Sequence, residues 1–445
     1  MKPVLLRHLL LLGLLALTSR LAAAALPIEH WVADNGARVY LVQSHGLPML
    51  DVQVDVDAGS RRDPPAQAGL AQATALMWTR GVATDGTRAA IDENALVEAW
   101  ADMGAQFAVS AGQDRMSFTL RTLTDAGLQA SAVALAARQL AQPAFPAAVW
   151  TRERQRLVAG WREAQTQPAY LAERAFAQAV YADHPYGQEA KPETWAAIDV
   201  GHMQDFARRH VRACDARVTL VGAIDRAAAS ELVRALLAGW TSPQTCAPQS
   251  AVAEVAPLPA ALTRQLPFDA AQAQIFVGQP GFRRADPDFL ALLVGNHIFG
   301  GSGFTSRLMQ ELREKRGLTY GVYSYFSPGR HAGAFTVGVQ TRPDQAAQTV
   351  ALIHGELRRF VAEGPSEAEL AQAKAALIQG FALRLDSNRK LLDNVASLAW
   401  NDLPLDYLDT WTQQVAALTR EQVHAALQRV LQPERMATVV LGGAP

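Results

Sequence analysis

The chain has 445 residues, of which 49% are hydrophobic and 19% are charged. This composition provides enough apolar side chains for packed cores and excludes a largely disordered chain, and the length fits about two to four domains of roughly 100–200 residues each. The 41 basic and 42 acidic residues give a net charge of −1, so the chain lacks the basic excess that is typical of nucleic-acid-binding proteins. Two cysteines are too few for a disulfide scaffold or for a four-thiolate zinc site.

Residues 1–25 are predicted to be a secretory signal peptide. Lys2 and Arg7 precede an apolar run over 9–17, and the alanines at 22–25 supply the small residues that a signal peptidase requires. An uncleaved membrane anchor is the alternative. No other segment offers ~18 uninterrupted apolar residues, so we expect a periplasmic chain without stable membrane insertion.

The chain is predicted to contain one α+β unit used twice. Each copy has an alternating strand, near Phe118 and near Phe335, followed by a helical pattern, a proline-marked break and a second helix. In the second copy, Ser366 and Glu369 form the pattern of a capping box after the break. The offset of 217 residues (335 − 118) is the length of a domain rather than of a solenoid repeat. A chance likeness between two α/β segments is the alternative.

Further strands are predicted at both ends of each copy. Residues 38–43 and 49–56 are expected to form a β-hairpin, and 274–278 is the counterpart in the second copy. Each copy is expected to end in a strand, at 217–222 and at 437–442, because both stretches are rich in β-branched residues.

A stretch rich in Pro, Ala and Ser, 241–261, is predicted to be an exposed linker. It separates an N-terminal domain over 26–240 from a C-terminal domain over 262–445. The predicted fold class is therefore α+β, with two homologous domains joined by a linker. Export to an oxidising compartment would permit a disulfide between Cys214 and Cys246, which the sequence leaves open.

The chain lacks the usual catalytic patterns. No two of its ten histidines are four residues apart, so neither H-E-x-x-H nor H-x-x-E-H is present. There is no G-x-S-x-G or P-loop pattern, and neither cysteine has the context of a nucleophile. The glycine-rich stretch 300–303 lacks the following Lys-Ser/Thr of a phosphate loop, which favours a flexible turn before a helix. Residue chemistry alone therefore indicates a secreted, non-catalytic two-domain protein.

Three segments resemble the M16 (pitrilysin- and insulinase-like) metallopeptidases in their short two-domain form. Residues 69–81, GLAQATALMWTRG, are similar to the G-L-A-H-x-x-E-H-M-x-x-x-G helix of that family, and 183–187, DHPYG, to its H-P-Y-G segment. Residues 299–320, FGGSGFTSRLMQELREKRGLTY, resemble its G-G-x-x-S-R-L-x-x-x-x-R-E-K-x-G-L-x-Y stretch. The resemblance covers essentially the whole mature chain. It implies two M16-type domains with mixed, mainly antiparallel sheets flanked by helices.

The chain departs from this family at the zinc motif. In active members the two histidines of H-x-x-E-H bind zinc and the Glu is the general base, but the segment here reads QATAL, which places Gln72, Ala75 and Leu76 at those positions. The downstream ligand position is Glu153, and the next acidic position is Gly160. A catalytic zinc takes three protein ligands. We therefore predict no bound metal, Glu153 as a surface helix residue, and no peptide hydrolysis by this chain alone.

The C-terminal motif is intact. Arg313 and Tyr320 have the spacing of the Arg and Tyr that, in the family, hold the substrate backbone near the zinc of the other half. Arg offers several donors to carbonyl oxygens, and Tyr can donate to a developing oxyanion. The alternative is a structural salt bridge for Arg313 and a strand that begins at Tyr320. Arg307 is predicted to be structural, and 314–316 to be a solvated helix end.

The resemblance implies the substrate-binding subunit of a heterodimeric periplasmic zinc peptidase. Such a chain would bind no cofactor itself and would supply Arg313 and Tyr320 to a homologous partner that carries zinc on an intact H-x-x-E-H. The expected ligands are peptides, and nucleic acid is not expected. The alternatives are a peptide-binding or chaperone-like homodimer, a structural scaffold, and an independently active enzyme with unconventional zinc ligands.

Overall fold

The structure is a computed structural model that describes residues 26–240 and 246–442. The predicted signal peptide lies outside the described residues. The strands form two sheets. The first sheet contains β1 (Glu29–Val32), β2 (Arg38–Gln43), β3 (Met49–Val56), β4 (Gln106–Ala111), β5 (Met116–Leu123) and β6 (Arg217–Gly222). The second sheet contains β7 (Leu262–Leu266), β8 (Ala273–Pro280), β9 (Val322–Phe326), β10 (Ala334–Thr341) and β11 (Ala437–Leu441).

The two sheets share one topology. Their strand orders are β1-β2-β6-β3-β5-β4 and β7-β11-β8-β10-β9. In both, the last strand of the domain pairs in parallel with the first strand of the shared pattern (β6 with β2, β11 with β7) and antiparallel with the next (β3 or β8). The remaining pairs are antiparallel. The α+β class and the two homologous domains are therefore confirmed.

The predicted hairpin between β2 and β3 is wrong, because β6 lies between these two strands. Every residue of β6 is buried, so this strand needs a neighbour on each side and a packed layer on each face. The alternation of Val52, Val54 and Val56 reports a buried face, but it carries no information about which strand is the hydrogen-bonded neighbour.

Helices flank both sheets. The α-helices of the N-terminal domain are α1 (Leu70–Trp78), α2 (Glu93–Asp102), α3 (Ala126–Ala141), α4 (Ala147–Ala164), α5 (Pro168–Tyr181), α6 (Pro192–Ala196), α7 (Val200–His210) and α8 (Arg226–Leu237). Those of the C-terminal domain are α9 (Phe289–Asn296), α10 (Ala346–Glu363), α11 (Glu367–Gly380), α12 (Asn388–Trp400), α13 (Tyr407–Ala417) and α14 (Arg420–Val430). Short 3-10 turns lie at Ser60–Arg62, Pro65–Gln67, Pro185–Gly187, Ala213–Asp215, Gly303–Thr305, Pro343–Gln345, Ala382–Arg384 and Pro433–Arg435.

The helix termini follow the sequence signals. The predicted capping box starts α11, where the Ser366 hydroxyl accepts the N–H of Glu369 and the Glu369 carboxylate accepts the N–H of Ser366. Asp92, Asp125 and Asp225 cap α2, α3 and α8 with their side chains, as short polar residues do at helix N-termini. Among the described residues, no helix has both the length and the apolar character needed to cross a bilayer.

Each domain covers one face of its own sheet and contributes one helix to the sheet of the other domain. From the N-terminal domain, α5 packs on the second sheet, where Phe176 stacks on Phe276 with 5.6 Å between the ring centroids. From the C-terminal domain, α12 packs on the first sheet, with Leu392 and Val395 beside Tyr40. This exchange places a shared apolar core on both sides of the domain boundary.

The linker is anchored rather than free. In its described part, 246–261, most residues are exposed as predicted, but Val255 and Leu258 are buried. The side chain of Gln249 donates to the carbonyl oxygen of Asp57, and Cys246 forms a disulfide with Cys214, with the two Cα atoms 6.0 Å apart. Pro, Ala and Ser predict an irregular surface segment, but they do not reveal the apolar side chains that fasten it to both domains.

Candidate functional site

The degenerate motif lies on α1, whose first turn is held by a buried carboxylate. Gly69 adopts φ +97° before the helix, a conformation that favours glycine. Asp63 accepts the backbone N–H groups of Gly69 at 2.9 Å and of Ala71 at 3.0 Å. Burial raises the pKa of Asp63 to about 7, although these N–H donors act in the opposite direction. The first turn of α1 is thus fixed by this buried carboxylate.

The side chains at the motif positions do not fit a zinc ion. Gln72 is exposed, Ala75 is buried and Leu76 is partly buried. Neither Ala75 nor Leu76 has a side-chain donor atom for a metal, and zinc is bound in proteins chiefly by Cys, His and carboxylate groups. Both side chains are apolar and suit packing of the helix against its neighbours, as the sequence predicted.

Glu153 is not a surface residue. It is 2% exposed, and its carboxylate lies 3.1 Å from Arg152, 3.5 Å from Arg156 and 3.6 Å from Arg80. Helix α4 carries several arginines beside this glutamate, and a carboxylate can be buried when guanidinium groups neutralise it. The prediction of a surface position is wrong for this reason. Cationic side chains therefore occupy the surroundings of the carboxylate where a zinc ligand would face the metal.

One group of potential metal ligands does occur within the described residues, and it is elsewhere. Cys214, Asp215 and Cys246 lie close together, but the two sulfur atoms are joined in the disulfide and are not thiolate ligands. The donor chemistry of this chain therefore does not support a zinc site at Glu153 or at the disulfide.

The glycine-rich stretch of the C-terminal domain is tightly packed. Helix α9 continues as a π-helical turn, His297–Gly301, and a second π-helical segment covers Met309–Glu314. A Cβ atom at Gly300 would lie 2.5 Å from the hydroxyl oxygen of Ser324, so only glycine fits. The turn predicted to be flexible is therefore fixed against β9. Single π-helical turns are frequent at functional sites.

Arg307 anchors this segment to α11. Its guanidinium donates to both carboxylate oxygens of Glu369 at 2.6 and 2.7 Å and to the carbonyl oxygen of Gly364 at 3.0 Å, and it lies 4.6 Å from the ring centroid of Phe360. Burial alone would raise the pKa of Glu369, but the bonds from Arg307 and Ser366 lower it to about 2. The predicted structural role of Arg307 is confirmed.

Arg313 and Tyr320 are brought together at the surface. The guanidinium carbon of Arg313 lies 5.0 Å from the ring centroid of Tyr320 and 4.5 Å from that of Phe304. Tyr320 is 87% exposed and Phe304 is 63% exposed, although large aromatic rings are usually buried. The strand begins two residues after Tyr320, at Val322. Tyr320 is therefore displayed to solvent, and Arg313, whose side chain is 27% exposed, lies against the two rings.

A structural salt bridge is the alternative role for Arg313. Its Nε lies 3.6 Å from the carboxylate of the adjacent Glu314, which is too long for a hydrogen bond. The predicted solvated helix end at 314–316 is exposed, but Lys315 and Arg316 both pair with the buried carboxylate of Glu311. These neighbouring charges are structural, and Arg313 is distinguished from them by its contact with two exposed rings.

A cleft of about 700 Å³ opens beside Tyr320, between α5 and the strands of the second sheet. Its walls include Ala169 and Glu173 of α5, Phe276 of β8 and Tyr323 of β9. The sequence predictions missed Glu173, Phe304 and Tyr323. The one signal available was the stretch 320–326, YGVYSYF, in which tyrosines alternate with residues of the buried face.

The His-Pro-Tyr-Gly segment joins the two domains. The hydroxyl of Tyr186 donates to Asp114 at 2.5 Å and accepts the backbone N–H of His331 at 3.3 Å. The ring of His184 bonds to the carbonyl oxygen of Ala253 at 3.0 Å. Burial and the Asp114 carboxylate raise the pKa of Tyr186 above its usual range. This motif thus connects the N-terminal domain, the linker and the C-terminal domain.

Comparisons with known proteins agree with this arrangement. Residues 38–192 match the family described as Insulinase (Peptidase family M16), and residues 197–377 match the family described as Peptidase M16 inactive domain. The chain belongs to the M16 peptidase family. Its C-terminal match starts before β6, so it includes the end of the N-terminal domain as well as much of the second sheet.

Several M16 relatives are similar over part of their length. An uncharacterized zinc protease of Streptomyces coelicolor is 27% identical over 279 residues, which cover 60% of this chain and 59% of that protein. A similar protein of Mycobacterium leprae is 28% identical, with 60% of each chain covered. The non-peptidase homolog YmxG of Helicobacter pylori is 30% identical over 161 residues, which are 35% of this chain and 36% of that one.

Solved M16 structures match the whole fold. The peptidase M16 inactive domain from Pseudomonas fluorescens has a TM-score of 0.87 and 31% sequence identity, and the match covers 94% of this chain and 98% of that chain. The periplasmic protease PqqL from Escherichia coli has a TM-score of 0.77 and 18% identity, and the match covers 94% of this chain but 45% of PqqL. The fold is that of an M16 inactive-type domain and is consistent with a non-catalytic member of the family.

Proposed function

We propose that this chain is the non-catalytic, substrate-binding subunit of a heterodimeric zinc peptidase in the periplasm. Its partner is a homologous M16 subunit with an intact H-x-x-E-H, which holds the zinc, and its substrates are peptides. The observation that carries the proposal is an asymmetry between the two domains. The N-terminal domain lacks the zinc ligands and neutralises Glu153, whereas the C-terminal domain displays Arg313 and Tyr320 together at the surface.

The chemistry of the exposed pair fits this role. Within the described residues, the Arg313 side chain makes no hydrogen bond, so its donors are available to carbonyl oxygens of a bound peptide. The hydroxyl of Tyr320 is open to solvent and can donate to negative charge that develops on a substrate oxygen. In the proposed complex, both groups act at the partner's zinc site, while this chain positions the substrate.

The comparisons support a subunit of this kind. The Helicobacter pylori relative is named a non-peptidase homolog, and the Pseudomonas fluorescens structure is named an inactive domain. PqqL, a periplasmic protease, is long enough for the present chain to match only 45% of it. That length supports a peptidase assembled from two such two-domain units.

The proposal is tested with the full mature chain and the zinc-bearing protein that copurifies with it from the periplasm. Arg313→Lys and Tyr320→Phe are expected to lower turnover of a peptide by about 10- to 1000-fold, the range for loss of one transition-state donor. The complex should remain associated in size-exclusion chromatography, since Arg313 makes no hydrogen bond within the described residues and Tyr320 is 87% exposed. Arg342→Ala is the matched control and should leave turnover unchanged, since this arginine is exposed and, among the described residues, pairs with Asp344.

Unchanged turnover in both variants would contradict the proposal. Recovery of this chain alone, or only with a second copy of itself, would also contradict it. In that case the chain would have no zinc-bearing partner, and a peptide-binding homodimer would explain the exposed pair instead.

A further inference from the structure

We infer that the cleft beside Tyr320 is a subsite for a positively charged group of the peptide, with Glu173 as its counter-ion and tyrosine rings as its walls. This inference rests on the proposed function, because it names the class of side chain that the substrate-binding surface accepts. It concerns residues outside the Arg313–Tyr320 pair.

The shape of the cleft fits a long side chain. Its volume is about 700 Å³, and it opens directly next to the exposed ring of Tyr320. On one side, Ala169 and Glu173 are four residues apart on α5 and therefore share one face of that helix. On the other side, the ring of Tyr323 lies over the glycine at 338, where a Cβ atom would come within 2.4 Å of it.

The charge of the cleft selects a cation. Glu173 is the one charged residue that lines it; it is exposed, and within the described residues its carboxylate has no ion pair or hydrogen bond. The remaining polar lining consists of neutral side chains, with glutamines at 272, 274 and 340. An unpaired carboxylate beside two aromatic faces attracts a guanidinium or an ammonium both by charge and by cation–π contact.

Glu173 is close enough to affect its aromatic neighbour. Burial raises the pKa of Tyr323, and the neighbouring Tyr325 and Glu173 raise it further. Arg313 lies against Tyr320 but does not line the cleft, so its guanidinium group does not occupy the subsite. A peptide whose backbone passes Arg313 could therefore place a basic side chain between Tyr320, Tyr323 and Glu173.

Binding to the full mature chain tests the inference without any partner. The probe is a short N-acetylated peptide of alanine, valine and serine with one central arginine and a fluorescent label at its C-terminus. Its comparison peptide has citrulline, a neutral isostere, in place of the arginine. We expect about five- to tenfold tighter binding of the arginine peptide in fluorescence anisotropy, as one partly desolvated cation–π and charge contact would give.

Two variants locate the effect. Glu173→Gln should remove the preference for arginine, and Tyr323→Leu should reduce it. Glu163→Gln, at an exposed glutamate on the neighbouring α4, is the matched control and should keep the preference. A citrulline peptide with a free N-terminus distinguishes the two sources of positive charge, because tight binding of that peptide would identify a terminal ammonium as the ligand at Glu173.

Equal affinity for the arginine and citrulline peptides would overturn the inference, as would a preference that survives Glu173→Gln or a complete lack of peptide binding. None of these outcomes decides the proposed function, which depends on turnover of the complex by the Arg313 and Tyr320 variants. If the Arg313 and Tyr320 variants lose turnover as expected, but Glu173→Gln leaves the affinity for the arginine peptide unchanged, the subsite is contradicted and the proposed function is not.

Discussion

The two domains have the same strand topology, but Ala75 and Glu153 at the motif positions of the N-terminal domain are buried, whereas Tyr320 of the C-terminal motif is exposed. In the N-terminal domain, Glu153 is buried among arginines and Ala75 is packed inside the domain. In the C-terminal domain, Tyr320 faces solvent and the partly buried Arg313 lies against its ring. The comparison shows that packing and ion pairs maintain the same topology in both domains, although their motif residues differ in burial.

The outer edges of the two sheets differ as well. In the N-terminal sheet, β4 is the edge strand of the described sheet and pairs with β5, and its residues alternate between exposed and partly buried. In the C-terminal sheet, the outer side of β9 is occupied by its own domain, since Met309 accepts the N–H of Val322 and Asn296 donates to the carbonyl oxygen of Ser324. Closing this edge fixes the start of β9 and, with it, the position of Tyr320.

The largest expected effect concerns the helices that the domains exchange. Phe176→Ala on α5 removes a buried ring that stacks on Phe276, and it should lower the free energy of unfolding by about 3–5 kcal/mol. Leu392→Ala on α12 should cost about 2–5 kcal/mol for the same reason. Urea denaturation followed by circular dichroism and by tryptophan fluorescence measures both losses.

Because both helices join the two domains, each variant should still unfold in one transition that both probes report together. Leu383→Ala, at a leucine that is 66% exposed, is the control and should change the free energy of unfolding by less than about 0.5 kcal/mol. Separate unfolding transitions in the unmodified chain would contradict a core shared by the two domains. They would mean that the domains unfold independently.

A second prediction concerns the charges that surround Glu153 near the degenerate motif. The triple change Gln72→His, Ala75→Glu and Leu76→His restores the H-x-x-E-H pattern, but Arg80 still competes with zinc for Glu153 at 3.6 Å. We expect Arg80→Ala to tighten zinc binding of the triple variant by about ten- to hundredfold, because removing a neighbouring positive charge favours the metal. Competition with a chromophoric zinc chelator gives the affinities.

The control for this prediction is Arg156→Ala in the triple variant. Arg156 also contacts Glu153, but its side chain is 74% exposed and its charge is screened by solvent, so a change of at most about twofold is expected. If the triple variant binds zinc equally well with and without Arg80, the ion pair between Arg80 and Glu153 does not weaken zinc binding.

The sequence predicted the repeated unit, the capping box at Ser366 and the family, because these depend on local pattern and spacing. It did not predict that β6 separates β2 from β3 or that Glu153 is buried, because both depend on which segments meet in three dimensions. The cleft with Glu173 was missed for the same reason: its two walls come from different domains. The functional roles of Arg313 and Tyr320 remain predictions until turnover is measured.

The smallest expected effect concerns the anchor of the Arg-Tyr segment. Glu369 has a lowered pKa of about 2 in the folded chain, so the stabilisation from its bond with Arg307 is present above the unfolded pKa near 4.5 and is lost as the pH falls through about 2. Glu369→Gln should therefore cost about 1–2 kcal/mol at pH 6, and the difference from the unmodified chain should shrink at pH 3.

Urea titrations at the two pH values test this, with Glu367→Gln, at an exposed glutamate on the same helix, as the control. A penalty for Glu369→Gln that is equal at pH 6 and pH 3 would mean that the carboxylate acts through shape rather than charge. Asp63 of the N-terminal domain should behave in the opposite way. Burial raises its pKa to about 7, so the free energy of unfolding should fall as the pH rises towards that value.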